Sequence, residues 1–151
     1  MSVGRICLRD VDLADAAECV LDAARRMRDR DVGTLVVLGE AEKPVGLLTD
    51  RDLTVRVLAA GRDAVATRVG DVMTPSPRTV SESTPIEAAL GLMRSGSFRR
   101  LPVVDEAGKL VGILSLDDVL ALLAEEFTLV GDLLERETPH RPPRADTGAA
   151  R

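Results

Sequence analysis

Apolar and polar positions follow two periods along this chain, and the same succession of periods occurs twice. From Val20 the apolar residues recur at helical spacing, Val20, Ala23, Ala24 and Met27, and from Ile86 they do so again, Ile86, Ala89, Leu90 and Met93. Thr84-Pro85-Ile86-Glu87 reads as a helix start, with a hydroxyl cap, proline at the first helical position and an early carboxylate; Asp15 and Glu18 make the same kind of cap. Gly33 and Gly96 fall near the helix ends. Short apolar runs come next, Leu35 to Leu38 and Leu101 to Val104, each followed by a polar turn and a second run, Val45 to Leu48 and Val111 to Leu114. Two runs joined by a short turn predict a hairpin, and unbroken apolar runs predict strands covered on both faces. A second helix is predicted to begin at Asp50 and at Leu116, the later one amphipathic and reaching about Glu135. A short strand is predicted near Arg78 to Val80.

The two passages are one pattern repeated. Shifting the chain by 66 residues aligns 20–53 with 86–119 without a gap, and 12 of the 34 pairs are identical. Met27 meets Met93, Leu35 meets Leu101, Gly46 meets Gly112 and Asp52 meets Asp118. Such self-similarity is the signature of a duplicated unit. The predicted fold class is mixed α and β, with two repeats of helix, strand, strand and helix about a pseudo-two-fold axis. The expected division is 3–66 and 67–136, with a linker from Gly61 to Pro77. The stretch 137–151, rich in Pro, Arg and small residues, is expected to be disordered.

Composition narrows the classes. With 45% apolar and 30% charged residues, the 151-residue chain is of the globular type. Two Phe are its only aromatic residues, so the core is aliphatic and base stacking has little to work with. A net charge of -5 argues against a general nucleic-acid binder. No apolar run reaches the roughly 18 residues of a membrane helix, and the N-terminus lacks a secretory pattern. Cys7, Cys19 and the single histidine, His140, cannot make a four-ligand zinc site from one chain. The cysteines are expected as reduced, part-buried thiols and the compartment as the cytoplasm.

The repeated motif offers two chemistries. Thr49-Asp50-Arg51-Asp52 and Ser115-Leu116-Asp117-Asp118 have the form of capping boxes, using Asp where Glu is usual. Gly46 and Gly112, inside strands, fit close backbone packing. The same geometry suits a ligand: unpartnered amides at a helix start attract an anion, Thr49 or Ser115 can bond phosphate, and Asp52 or Asp118 can accept from a ribose diol. A glycine would then let the ligand approach the strand.

Gly46-Leu47-Leu48-Thr49-Asp50-Arg51-Asp52 and Gly112-Ile113-Leu114-Ser115-Leu116-Asp117-Asp118, supported by Arg100-Leu101-Pro102-Val103-Val104-Asp105 and Val69-Gly70-Asp71-Val72-Met73-Thr74, resemble a tandem pair of CBS domains, the module named after cystathionine β-synthase. The likeness runs from about Val3 to Leu134. It implies β-α-β-β-α repeats with two clefts between them, taking AMP, ATP or S-adenosylmethionine as regulatory ligand, with no obligatory cofactor. Carried over, Thr49 with Asp52 and Ser115 with Asp118 face phosphate and ribose. The resemblance also points to Arg99 and Arg100 at a cleft, matched in the first repeat by Gly33 and Thr34, and to Arg51 as a further phosphate partner. Val80, Val103 and Ile113, with Val37 and Leu47 opposite, are candidates to wall an adenine. A homodimer meeting through the second helices is implied, in addition to an unidentified protein partner.

No P-loop, no H-E-x-x-H and no G-x-S-x-G occurs, so catalysis is not expected. Two functions remain: an adenine-nucleotide sensor, or a ligand-independent interaction and dimerisation module driven by apolar residues such as Leu120, Leu123 and Phe127.

Overall fold

A computed structural model describes residues 1–96 and 98–137. Strand β1 (Leu13–Ala14), helix α1 (Val20–Arg30), strands β2 (Thr34–Leu38) and β3 (Pro44–Thr49) and helix α2 form the first repeat. Helix α2 opens as an α-turn, Asp50–Asp52, and widens to a π-helix over Leu53–Leu58. A short helix α3 (Val69–Val72) and strand β4 (Thr74–Pro75) follow. Strand β5 (Val80–Ser81), helix α4 (Ile86–Gly96), strands β6 (Arg100–Val104) and β7 (Leu110–Ser115) and helix α5 (Leu116–Glu137) form the second. The offset of 66 residues carries α1 onto α4, β2 onto β6 and β3 onto β7 with no adjustment.

Two sheets result, ordered β1-β2-β3-β4 and β5-β6-β7, with the first pair of each parallel and the hairpins antiparallel. Both hairpins carry a register shift at the same place, Val37/Leu38 and Val103/Val104. Leu35, Val36 and Val37 are fully buried, as are Leu101 and Val103. That is why their strands show unbroken apolar runs. The inward stripe of α1, Val20, Ala23 and Met27, closes a core with Leu35, Val37 and Leu48.

The chain crosses between the repeats. Residues 67–75 complete the first repeat: Val69 and Val72 enter its core, Val69 N donates to Glu18 O at 3.0 Å, and Thr74 pairs with Leu47. The equivalent segment 1–8 completes the second: Val3 N donates to Thr84 O at 2.9 Å, and Leu8 pairs with Ile113. The bridges Cys19 to Arg68 and Ser2 to Pro85 are related by the same offset. The stretch expected as a linker, Gly61 to Pro77, is instead anchored on the first repeat: Leu21 N donates to Ala64 O, Val20 N to Thr67 O, and Val69 and Val72 enter the core. The boxes expected to cap α1 and α4 instead close the turn just before each helix. Asp15 N donates to Glu18 Oε1 and Ser81 N to Thr84 Oγ1, and α4 begins after Pro85, at Ile86.

Gly46 and Gly112 make the crossing possible. A Cβ on Gly46 would strike the Met73 thioether, and one on Gly112 would stand 2.8 Å from Leu8 O and 3.0 Å from Cys7 Sγ. The space a ligand was expected to use beside these glycines is taken by the chain itself. Val80, expected at a ligand, is buried and paired with Val103.

From Leu120 onward helix α5 belongs to a separate unit. Taken by itself, it exposes Leu120, Leu123, Phe127 and Val130 at three- and four-residue spacing. No helix among the described residues is long and apolar enough to cross a membrane. The tail from Thr138, with His140, lies outside the described residues.

The two glycines give an ordered prediction. Gly112→Ala must displace backbone at Leu8 and should cost about 1–3 kcal/mol, whereas Gly46→Ala meets a side chain that can swing aside and should cost less. Urea unfolding of both variants checks this; equal costs would contradict it.

Candidate functional site

The repeated motif forms two complete capping boxes. Thr49 N and Thr49 Oγ1 each donate to Asp52 Oδ2 at 2.9 Å, and Asp52 N donates back to Thr49 Oγ1 at 3.1 Å. In the second repeat Ser115 N and Oγ donate to Asp118 Oδ2 at 2.7 and 2.6 Å, and Asp118 N donates to Ser115 Oγ at 3.1 Å. The carboxylates therefore start α2 and α5, consuming amides that helix ends otherwise leave unpaired.

The boxes differ beyond Oδ2. Asp52 is only 9% exposed, and its Oδ1 lies 3.5 Å from Arg56 Nε. Arg56 also donates to Val72 O at 2.7 Å and Met73 O at 3.0 Å, tying the π-helix to the crossing segment. Leu122 stands at the related position in the second repeat, and Asp118 makes no ion pair among the described residues. Asp118 thus keeps one carboxylate oxygen available.

Each motif borders a cleft. The first, about 610 Å³, is lined by Thr34, Leu47, Thr49, Asp50, Arg51, Phe98, Arg99 and Arg100. The second, about 220 Å³, is lined by Leu8, Asp10, Val11, Asp12, Asp31, Val32, Gly33, Thr34, Arg100, Ile113, Ser115 and Asp118. They are counterparts: the offset carries Thr49 to Ser115, Leu47 to Ile113, Gly33 to Arg99 and Thr34 to Arg100. Backbone geometry keeps the relation, since Asp50 N donates to Gly33 O and Leu116 N donates to Arg99 O. Thr34 and Arg100 line both clefts.

The structure thus brings Thr49, Arg51, Arg99 and Arg100 to one cleft and Ser115, Asp118 and Arg100 to the other. Asp52 supports the first from behind without lining it, and Gly46, Gly112 and Val80 line neither. Phe98 and the carboxylates of Asp10, Asp12 and Asp31 carry no signal of a site in the sequence, and Thr34 enters there only as the counterpart of Arg100. Asp10 and Asp12 lie between the crossing segment and β1, and no periodicity announces their place at a cleft.

Thr34 Oγ1 is buried and has no hydrogen-bond partner. A buried hydroxyl left unpaired costs about 1–3 kcal/mol, and this one stands at the shared wall. Asp10 and Asp12 are held by Arg30, at 3.1 and 2.8 Å. Cys7 is a poor nucleophile, because burial pushes its thiol up, opposed by the nearby Arg9, and the thiolate is the reactive form. No group of three or more His, Cys, Asp or Glu among the described residues is placed to hold a metal ion.

The CBS domain pattern matches residues 3–59 and again 69–125. This chain belongs to the CBS-domain family, as a tandem pair. The two matches differ by the same 66 residues and each includes one crossing segment. MK0525 of Methanopyrus kandleri is 35% identical over 120 residues, 80% of this chain and 61% of that protein, so the pair spans less than two thirds of that relative. Hypoxic response protein 1 of Mycobacterium tuberculosis is 35% identical over 108 residues, 72% of this chain and 75% of that one. The crystal structure of Hypoxic Response Protein I, with two coordinated zinc ions, matches at a TM-score of 0.72 and 30% identity, covering 80% of this chain and 98% of that one. The CBS domain pair of protein MJ0100, solved with 5′-methylthioadenosine and S-adenosyl-L-methionine, matches at a TM-score of 0.74 and 24% identity, covering 82% and 99%. That last likeness is one of fold.

The unequal boxes predict unequal costs in this CBS pair. Asp118→Ala should lose about 1 kcal/mol of capping, and Asp52→Ala about 2 kcal/mol, because it also strips a buried position of its partner to Arg56. Chemical denaturation measures both; a costlier Asp118→Ala would contradict the comparison.

Proposed function

We propose that this CBS pair is a regulatory module that takes an adenine nucleotide or adenosyl ligand, AMP, ATP or S-adenosylmethionine, between its repeats. Its output is a change of shape or stability rather than a reaction. The observation that carries this is a cleft of about 610 Å³ lined by Arg51, Arg99, Arg100 and Thr34, whose buried hydroxyl has no partner. The volume suits a small-molecule site of roughly 300–1,000 Å³. Guanidinium groups bind phosphate in a paired, directional way. Leu47 and Phe98 supply apolar surface for a base. A ligand oxygen at Thr34 Oγ1 would remove the cost of the unpaired hydroxyl.

The ribose contact differs between the clefts. Asp52 can accept from a sugar only by sharing an oxygen already bonded to Thr49 or Arg56, whereas Asp118 has Oδ1 to offer. The Thr49 cleft is thus the stronger phosphate site and the Ser115 cleft the freer diol site.

A second reading, a ligand-independent interaction module, draws on the exposed Leu120, Leu123, Phe127 and Val130 of α5. Under either reading the pair works as a homodimer, with room for a protein partner, and light scattering at micromolar concentration should give twice the monomer mass. A monomer would contradict it. Thermal unfolding with AMP, ATP and S-adenosylmethionine separates the readings. A ligand at a hundredfold excess over its Kd should stabilise the fold by about 2.7 kcal/mol. No shift with any of the three at millimolar concentration would contradict the sensor.

A further inference from the structure

We infer that the two clefts are divided by charge: the Thr49 cleft accepts a phosphate-bearing ligand, the Ser115 cleft refuses one and admits an uncharged or cationic nucleoside, and Arg100, common to both walls, couples them. The inference rests on the reading that the clefts are ligand sites.

The difference lies at matched positions on related backbones. Arg99 faces the Thr49 cleft where Gly33 faces the other. Arg51 stands beside Thr49, and its counterpart beside Ser115 is Asp117. Just past the crossing segments, Asp10 lines the Ser115 cleft, while Ser76 holds the related position. The Thr49 cleft therefore presents Arg51, Arg99 and Arg100 against Asp50. The Ser115 cleft presents Asp10, Asp12, Asp31 and Asp118 against Arg100 alone. Arg30 offsets Asp10 and Asp12, but Asp31 and Asp118 have no ion pair among the described residues. A second phosphate there would meet carboxylates in a confined space, where charge interactions are strengthened.

Arg100 couples the clefts. A Cβ on Gly33 would stand 3.0 Å from Asp50 Oδ2 and 3.9 Å from Arg100 Nη2, so the guanidinium lies over Gly33, on the boundary. The buried, unpartnered Thr34 hydroxyl stands at the same boundary, its burial more than nine-tenths complete. A phosphate oxygen bonded to both draws Arg100 toward the Thr49 side. The Ser115 cleft then loses its one lining cation and becomes more hostile to a second anion and more favourable to a cation. Linkage makes the effect reciprocal.

The test is amide NMR on the full chain, with pyrophosphate, AMP and 5′-methylthioadenosine as probes. Pyrophosphate and AMP should each move the amides of Thr49 to Arg51 and of Arg99 and Arg100, saturate at one per chain, and shift Ser115 and Asp118 only along that same one-site curve, through Arg100. 5′-Methylthioadenosine should still move Ser115 and Asp118 in AMP-saturated protein. Arg51→Asp with Arg99→Gly, both at exposed positions and both installing the related residue, should weaken pyrophosphate at least tenfold and leave 5′-methylthioadenosine unchanged. If AMP fills both clefts, or either anion prefers the Ser115 side, the division by charge is overturned while the nucleotide reading survives. If pyrophosphate keeps to the Thr49 cleft but no adenosine ligand shifts the unfolding transition, the division stands and the nucleotide reading falls. If neither anion moves the Thr49 amides, both fall.

Discussion

Two short backbone pairings hold this molecule in its arrangement: Thr74 against Leu47 and Leu8 against Ile113. Each brings a segment from ahead of one repeat onto the outer strand of the other repeat's hairpin. Without it, β3 and β7 would leave a row of backbone donors and acceptors unpaired at a sheet edge. The pairing needs a flat strand face, and Gly46 and Gly112 provide it. The valines that come with it, Val3, Val69 and Val72, are fully buried or nearly so. Edge closure and core completion are thus one event, and the repeats are interlocked as a consequence. Asp10 and Asp12, on the chain that leads from the crossing to β1, reach a cleft wall where Arg30 holds them.

The hydroxyl and carboxylate of the repeated motif hold a helix start together before any ligand is present. The proposed ligand would draw on the same groups as the cap, and the free chain has already used most of their hydrogen-bonding capacity. What remains for a ligand is unequal: one oxygen of Asp118, the hydroxyl of Thr34 and the guanidinium groups around Thr49. The two repeats offer related clefts whose matched positions differ in charge. The π-helical turn of α2, present in one repeat only, belongs to the same divergence, because Arg56 on it secures Asp52 in a way that Leu122 cannot secure Asp118.

Much of the fold was legible in the residues. Helical spacing at Val20–Met27 and Ile86–Met93, apolar runs flanking polar turns, and the constant offset each supported the others. The second helices begin where the motif places them, at Asp50 and Leu116. The destination of residues 1–8 and 67–75 was not legible, because pairings of one or two residues leave no periodic trace. Gly46 and Gly112 were legible as close-approach positions, but not whether ligand or chain would fill the space. Thr49 from the motif and Arg99 from the family resemblance line one cleft. Arg100 fell at two, which only a view of both repeats together could show.

The most direct measurement is a crystal structure of the full chain grown with AMP. The account predicts phosphate density bonded to Arg99, Arg100 and the Thr34 hydroxyl, with the Thr49 to Asp52 capping box still closed beneath it. An empty Thr49 cleft in the presence of saturating AMP, or the phosphate seated among Asp10, Asp31 and Asp118, would contradict it.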